Sequence, residues 1–180
     1  MNWRGPIAAC ALALGATASS AQSFATQLQL PCLTAPEAES LITAVLPETI
    51  EALATNCAPQ LPPGALLREA KARILPRYRS EAEAVWPTAQ RAVSRVVGAD
   101  ASVLLGNNIA RPVIASLLAP AIVKQIQPGE CPAYDRIIAL AEPLPPRNLA
   151  GLMVSIWQLT DARRKPGERR PAITICPRAA

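Results

Sequence analysis

The chain has 180 residues, of which 51% are apolar and only 3% aromatic, a size and composition that suit one domain with an aliphatic core. Its 18 Lys and Arg residues exceed its 13 Asp and Glu residues, but the net charge of +5 is too dilute for a dedicated nucleic-acid-binding protein. The absence of histidine excludes Ser-His-Asp catalysis and every histidine-ligated metal or haem site. A zinc site would need cysteines, but these lack the usual close pairs, so we expect no metal and no cofactor.

Residues 1–21 have the pattern of a secretory signal peptide. Arg4 supplies the positive start, and residues 7–16 form a short apolar stretch. Ser19 and Ala21 are small residues at the −3 and −1 positions of a cleavage site, which we place after Ala21. The sequence therefore predicts export from a bacterial cytoplasm.

The mature chain is predicted to be a single helical domain over residues 22–180, periplasmic or secreted. The apolar stretch of the leader is too short to cross ~30 Å of hydrocarbon as a helix, so we expect no transmembrane span in the mature protein. Lipidation at Cys10, within a sequence that resembles a lipobox, is the alternative. It is disfavoured because the apolar stretch continues past Cys10.

Two helical regions follow the leader. Thr34 and Glu37 form a capping-box pattern that predicts a helix start, and apolar residues continue at helical spacing to Leu53. Residues 65–97 carry apolar side chains at helical spacing, with Pro76 and Pro87 expected to kink or divide the segment.

Residues 101–126 form the most apolar mature segment and are predicted to be the central core helix. Asn107, Asn108 and Arg111 interrupt it. They could line a polar cavity or mark a break between two helices, and the break is the favoured interpretation because asparagine caps helices well. A membrane-active hairpin is a further alternative, although the uninterrupted part, 112–123, is much shorter than a membrane span.

The last long helix is predicted over residues 147–164. Its apolar side chains make one stripe, which we expect to face the core: Leu149, Leu152, Met153, Ile156, Trp157 and Leu159. A basic cluster follows, which could contact an anionic surface: Arg163, Arg164, Lys165, Arg169 and Arg170.

The mature chain has four cysteines, Cys32, Cys57, Cys131 and Cys176, which predict two disulfides in an oxidising compartment. A straight helix from Cys32 to Cys57 would separate the two residues by ~37 Å, whereas a disulfide needs Cα atoms ~5.5 Å apart. We therefore predict a hairpin over residues 32–57 that turns near Pro47 and is closed by a Cys32–Cys57 disulfide.

The second predicted disulfide, Cys131–Cys176, closes another helical hairpin over residues 131–176. The proline-rich stretch at residues 143–146 supplies its turn. Together these patterns predict an all-α, disulfide-stapled bundle of about five to seven helices, several of them kinked or broken at prolines.

No catalytic motif stands out, so the enzyme question stays open and leans toward no. The leading hypothesis is a non-enzymatic binding or interaction protein whose partner is a hydrophobic small molecule or an envelope protein. The first alternative is an envelope- or membrane-associated protein that uses the basic C-terminal region. The second is a histidine-free hydrolase using one of three carboxylate pairs: Glu37 with Glu39, Glu48 with Glu51, or Glu81 with Glu83.

Overall fold

The described part of the chain is built from α-helices. The computed structural model describes residues 31–98, 110–165, 168 and 173–177. Within these residues there are six α-helices: α1 Ala35–Cys57, α2 Leu66–Arg73, α3 Leu75–Val97, α4 Ala110–Val123, α5 Cys131–Ala141 and α6 Pro146–Ala162. Single 3-10 turns precede α2 and α5, at Ala58–Gln60 and Pro128–Glu130. The predicted all-α, disulfide-stapled bundle is confirmed, while the predicted leader, 1–21, lies outside the described residues.

Helix α1 is the central element of the described fold. At the start of α1, Glu37 accepts hydrogen bonds from the Thr34 N–H at 2.8 Å and from the Thr34 hydroxyl at 2.9 Å. Burial raises the pKa of Glu37, but these bonds and the nearby Arg95 guanidinium outweigh burial and lower it. The helix then packs against α2, α3, α4 and α6. The central position therefore belongs to α1, and the prediction that 101–126 contains the core helix is wrong.

The predicted turn at Pro47 is also wrong, because α1 continues through this residue for 23 residues in all. A proline inside a helix costs ~3 kcal/mol through a lost hydrogen bond and a clash with the preceding turn. Burial on both sides of Pro47 offsets that cost. Ala44 and Leu46 before it, and Ile50 and Leu53 after it, are all buried against neighbouring helices.

The unbroken α1 changes the disulfide pairing. Cys32 and Cys57 lie at opposite ends of this helix, so the predicted hairpins over 32–57 and 131–176 do not form. Cys32 pairs instead with Cys176, with Cα atoms 5.0 Å apart, and Cys57 pairs with Cys131 at 5.4 Å. Each disulfide joins one end of α1 to a distant part of the chain, spanning 144 and 74 residues.

Of the two breaks predicted in the segment 65–97, only the one near Pro76 occurs. Helix α2 ends at Arg73, and Pro76 lies in the first turn of α3, where its missing N–H leaves no hydrogen bond unmade. Pro87 lies inside α3 without ending it. The helix ends at Gly98, whose φ of 91° is a backbone conformation that residues other than glycine rarely adopt.

The main core lies where α1, α2, α3 and α5 meet, around the fully buried Cys57–Cys131 disulfide. Asp135 of α5 helps to fix this junction, because its Oδ1 accepts a hydrogen bond from the Leu67 N–H at 2.8 Å. That N–H lies in the first turn of α2 and has no partner within the helix. A side chain distant in sequence thus caps α2.

The C-terminal segment is anchored beside the start of α1. Leu33 and Ile175 form an isolated parallel bridge, in which the Leu33 N–H donates to the Thr174 carbonyl at 2.9 Å. The Cys176 N–H donates to the Leu33 carbonyl at 2.7 Å. The adjacent disulfide between Cys32 and Cys176 holds the two segments of this bridge together.

Candidate functional site

Helix α4 packs with its small side chains inward and its large aliphatic side chains outward. The buried face carries Ala115, Ala119 and Val123, at a spacing of four residues. The opposite face carries large aliphatic side chains with substantial exposed fractions: Val113 50%, Leu117 71%, Leu118 43% and Ile122 48%. We name these four residues the α4 apolar face. The small residues on the buried side let the α4 backbone approach α1 closely.

The exposed surface of α4 carries no charged side chain between Pro112 and Val123. Ser116 is its one exposed residue with a polar side chain, and the Ser116 hydroxyl donates to the carbonyl of Val113 at 2.8 Å. Contiguous apolar surface of this kind on a folded chain marks a place where another molecule binds. The α4 apolar face is therefore the first candidate functional site.

Helix α6 has a similar distribution. Ala150 and Val154 are buried, Trp157 is half-buried, and four large side chains of the predicted stripe are exposed: Leu152 51%, Met153 43%, Ile156 52% and Leu159 59%. The prediction that the whole stripe faces the core is wrong. Helix α6 packs against α1, where the buried Val154 lies in one apolar cluster with Ala38.

Arg111 is itself buried and anchors the start of α4 through ion pairs with a partly buried and an exposed glutamate. Its Nη1 lies 2.7 Å from Glu48 Oε1 on α1, and its Nη2 lies 2.8 Å from Glu83 Oε1 on α3. Nη1 also donates to the carbonyl of Ala44 at 3.3 Å. Arg111 is only 8% exposed. Because it lies on α4 and binds residues of both α1 and α3, it holds these three helices together. The companion residues of the predicted polar cavity, Asn107 and Asn108, lie outside the described residues.

The predicted basic cluster is only partly described. Arg163 and Lys165 are exposed, and Arg164 Nε lies 3.0 Å from Asp161 Oδ1. Arg169 and Arg170 lie outside the described residues.

Five of the six carboxylates considered from the sequence, all except Glu39, lie in ion pairs with basic side chains. Glu51 binds Lys71 at 3.4 Å and Arg79 at 2.7 Å, while Glu48 and Glu83 share Arg111. Glu37 pairs with Arg95, and Glu81 lies 3.4 Å from Arg147. The lowered pKa of Glu37 is opposite in direction to the shift that a general acid needs.

A cleft of about 540 Å³ lies between the second half of α6 and the C-terminal segment. Its walls are mainly nonpolar, with Trp157 and Leu159 on one side and Ile175 and Pro177 on the other. The Cys32–Cys176 disulfide fixes the wall formed by the C-terminal segment. The size and lining fall in the range of small-molecule sites, which makes this cleft a second candidate.

The sequence did not reveal the exposed apolar sides of α4 and α6, because the large aliphatic side chains of both helices were expected in the core. The alanine spacing was the available signal. Ala115 and Ala119 are four residues apart, as are Ala150 and Val154, and such a pattern of small residues indicates close helix packing. Reading the small residues as the inward face would have turned the large ones toward the surface.

Helices of the described residues do not reach the length and hydropathy needed to cross a membrane. The same residues contain no group of three Cys, Asp or Glu side chains placed to hold a metal ion. Comparison of the chain with protein-family models, with curated proteins and with solved structures gives no match.

Proposed function

We propose that this chain is an exported, non-enzymatic binding protein of the bacterial envelope, and that the α4 apolar face is its binding surface. The observation that carries the proposal is the orientation of α4, which buries alanines and leaves Leu117 71% exposed. Turning α4 around its axis would bury the larger side chains at ~25 cal/mol per Å² of apolar surface. In the outward orientation, this apolar surface stays in water, so a partner that covers it gains the free energy of its burial.

Export is supported by the cysteines. All four cysteines of the predicted mature chain are in disulfides, and such bonds persist in oxidising compartments. The leader pattern at residues 1–21 agrees with this. Intact-mass measurement of protein purified from whole cells tests it. We expect a chain that begins after Ala21 and lacks the four hydrogens that two disulfides remove, whereas an uncleaved, fully reduced chain would contradict export.

Binding through the α4 apolar face is tested with an uncharged fluorescent probe, Nile red, whose emission rises in apolar surroundings. We expect the oxidised protein to enhance the emission, and the Leu117→Gln/Ile122→Gln double variant to lose most of the enhancement. Ala84→Gln is the matched control, since it places the same side chain at an exposed helical position of α3. Equal enhancement by the wild type and the double variant would contradict the proposed surface.

The cleft between α6 and the C-terminal segment supports a second candidate, carriage of a small hydrophobic molecule. Trp157 lines the cleft and provides a fluorescence signal there. Native mass spectrometry of the purified protein is the test. A bound small molecule that is lost from a Leu159→Gln variant but retained by the Leu117→Gln/Ile122→Gln variant would assign the function to the cleft.

A further inference from the structure

The α4 apolar face is continuous with a cation. Val113, Leu117, Ala121 and Lys124 follow one another at spacings of four, four and three residues, which places them along one line of the helix. All four are exposed, and Lys124 lies directly after the last residue of α4. An exposed apolar stripe thus ends in an exposed ammonium group.

The same pattern recurs on α6. Leu152, Ile156, Leu159 and Arg163 have spacings of four, three and four residues, and all four are exposed. A cation at a helix C-terminus also complements the helix dipole, which accounts for where Lys124 and Arg163 lie. The dipole does not account for the apolar stripes that lead to them.

Charge and exposed apolar surface are concentrated in the same part of the chain. Residues 31–98 contain seven basic and seven acidic side chains, whereas residues 110–165 contain seven basic and four acidic ones, a net charge of +3. Every Leu and Ile in residues 31–98 is at least partly buried. The exposed large hydrophobic residues of the described chain lie between Val113 and Ile173.

The acids of residues 110–165 are already engaged. Asp135 accepts from the Leu67 N–H, Glu142 binds Arg73 and Asp161 binds Arg164. The remaining acid, Glu130, accepts from the Gln127 N–H at 2.9 Å. Lys124 and Arg163 therefore border the apolar stripes without an acidic side chain on either stripe.

On these grounds we propose that α4 docks on the surface of an anionic lipid leaflet, an inference that rests on the proposed function and names its partner. The leaflet matches both parts of the stripe: acyl chains take up Leu117 and its neighbours, and headgroup phosphates meet Lys124. In a symmetric contact, the α4 apolar face of a second copy would bring the same cation and no acid. At 14 residues, about 21 Å, α4 lies along the surface rather than across the bilayer.

The test is flotation of the full-length mature, oxidised protein with vesicles of phosphatidylglycerol or phosphatidylcholine. We expect binding to phosphatidylglycerol that weakens as salt rises, and little binding to phosphatidylcholine. Lys124→Gln should lower the partition coefficient about fivefold, the effect of one cation at such a surface. Leu117→Ser should lower it on the order of tenfold. Arg91→Gln and Ala84→Ser, on exposed positions of α3, should leave it unchanged.

Three results would overturn the lipid assignment. They are absence of binding to phosphatidylglycerol, equal binding to both lipids, and equal loss in Arg91→Gln and Lys124→Gln. If Nile red still reports the α4 apolar face in any of these cases, the proposed binding function stands and the partner is different. A concentration-dependent dimer that Leu117→Ser abolishes, measured by light scattering without lipid binding, would assign the face to a second copy. Absence of both the probe signal and vesicle binding from the wild-type protein would refute both proposals.

Discussion

Arg111 of α4 and Glu48 of α1 form an ion pair with an Nη1–Oε1 distance of 2.7 Å, in which the arginine side chain is only 10% exposed. Glu48 Oε2 is buried and has no hydrogen-bond partner among the described residues. The pair joins α4, which carries the α4 apolar face, to the central helix α1. Its strength therefore contributes to the stability with which α4 is packed on α1.

Removing Arg111 alone should destabilise the protein more than removing the whole pair. Arg111→Met leaves the Glu48 carboxylate partly buried without its cation, and we expect the free energy of unfolding to fall by about 3 kcal/mol. The double variant Arg111→Met/Glu48→Met should recover most of that loss, since methionines fill the space without charge. Urea unfolding followed by circular dichroism measures both. A double variant no more stable than Arg111→Met would contradict this expectation.

The two disulfides should differ in accessibility to reductant. Cys57 and Cys131 are fully buried, whereas Cys32 and Cys176 are half-buried beside a short C-terminal segment. Thiol attack on a sulfur requires access, so mild dithiothreitol should open Cys32–Cys176 first while the fold persists. Alkylation and peptide mapping identify the released thiols. Simultaneous labelling of all four cysteines would mean that reduction requires global unfolding.

Replacing the buried disulfide, which lies inside the main core, should disrupt the core more than replacing the half-buried one. The Cys57→Ala/Cys131→Ala variant loses a crosslink over 74 residues and should be about 4 kcal/mol less stable. The Cys32→Ala/Cys176→Ala variant serves as the comparison. We expect it to retain the α-helical circular dichroism signal and to lose the cleft beside α6, which a change in the fluorescence of Trp157 would report.

Tyr78 should resist ionisation in the folded protein. Burial raises the pKa of its phenol above the ordinary value of 10.0, even though the nearby Arg77 guanidinium lowers it. Because the folded-state pKa is raised, the contribution of Tyr78 to the free energy of unfolding is fully present below pH 10, the ordinary pKa. This contribution is lost as the pH rises from 10 through the folded-state pKa. Ultraviolet titration of a Tyr134→Phe variant follows Tyr78 alone, because the chain has two tyrosines. A midpoint at or below 10.0 would show that the phenol is not buried in solution.

Gly151→Ala should stabilise the protein, by about 0.5–1 kcal/mol. Gly151 lies inside α6, and an added Cβ would meet Glu39 Oε1 at 3.6 Å, an ordinary contact distance. Gly98→Ala is the opposing control, since a φ of 91° is unfavourable for alanine although nothing lies within 4 Å of the new atom. Thermal unfolding should move the two melting temperatures in opposite directions. A destabilised Gly151→Ala protein would indicate that α6 cannot yield beside Glu39.

The composition and periodicity of the chain determined its class. An Ala- and Leu-rich chain with few aromatics forms helices, and the starts at Thr34 and Pro76, the end at Gly98 and the presence of two disulfides follow from local chemistry. Only the tertiary structure decided whether Pro47 ends a helix, because burial along both halves of α1 offsets the local cost of the proline.

Disulfide pairing and the direction of the apolar faces were likewise decided by packing. Once α1 is straight, Cys32 and Cys57 are too far apart to meet, and each joins the cysteine that the fold brings to its end of the helix. The periodicity of α4 marks two nonpolar sides, one of alanines and one of Leu117 and its neighbours, and does not rank them. The close approach of α4 to α1 selects the alanines for the interior, and this choice leaves the apolar face at the surface.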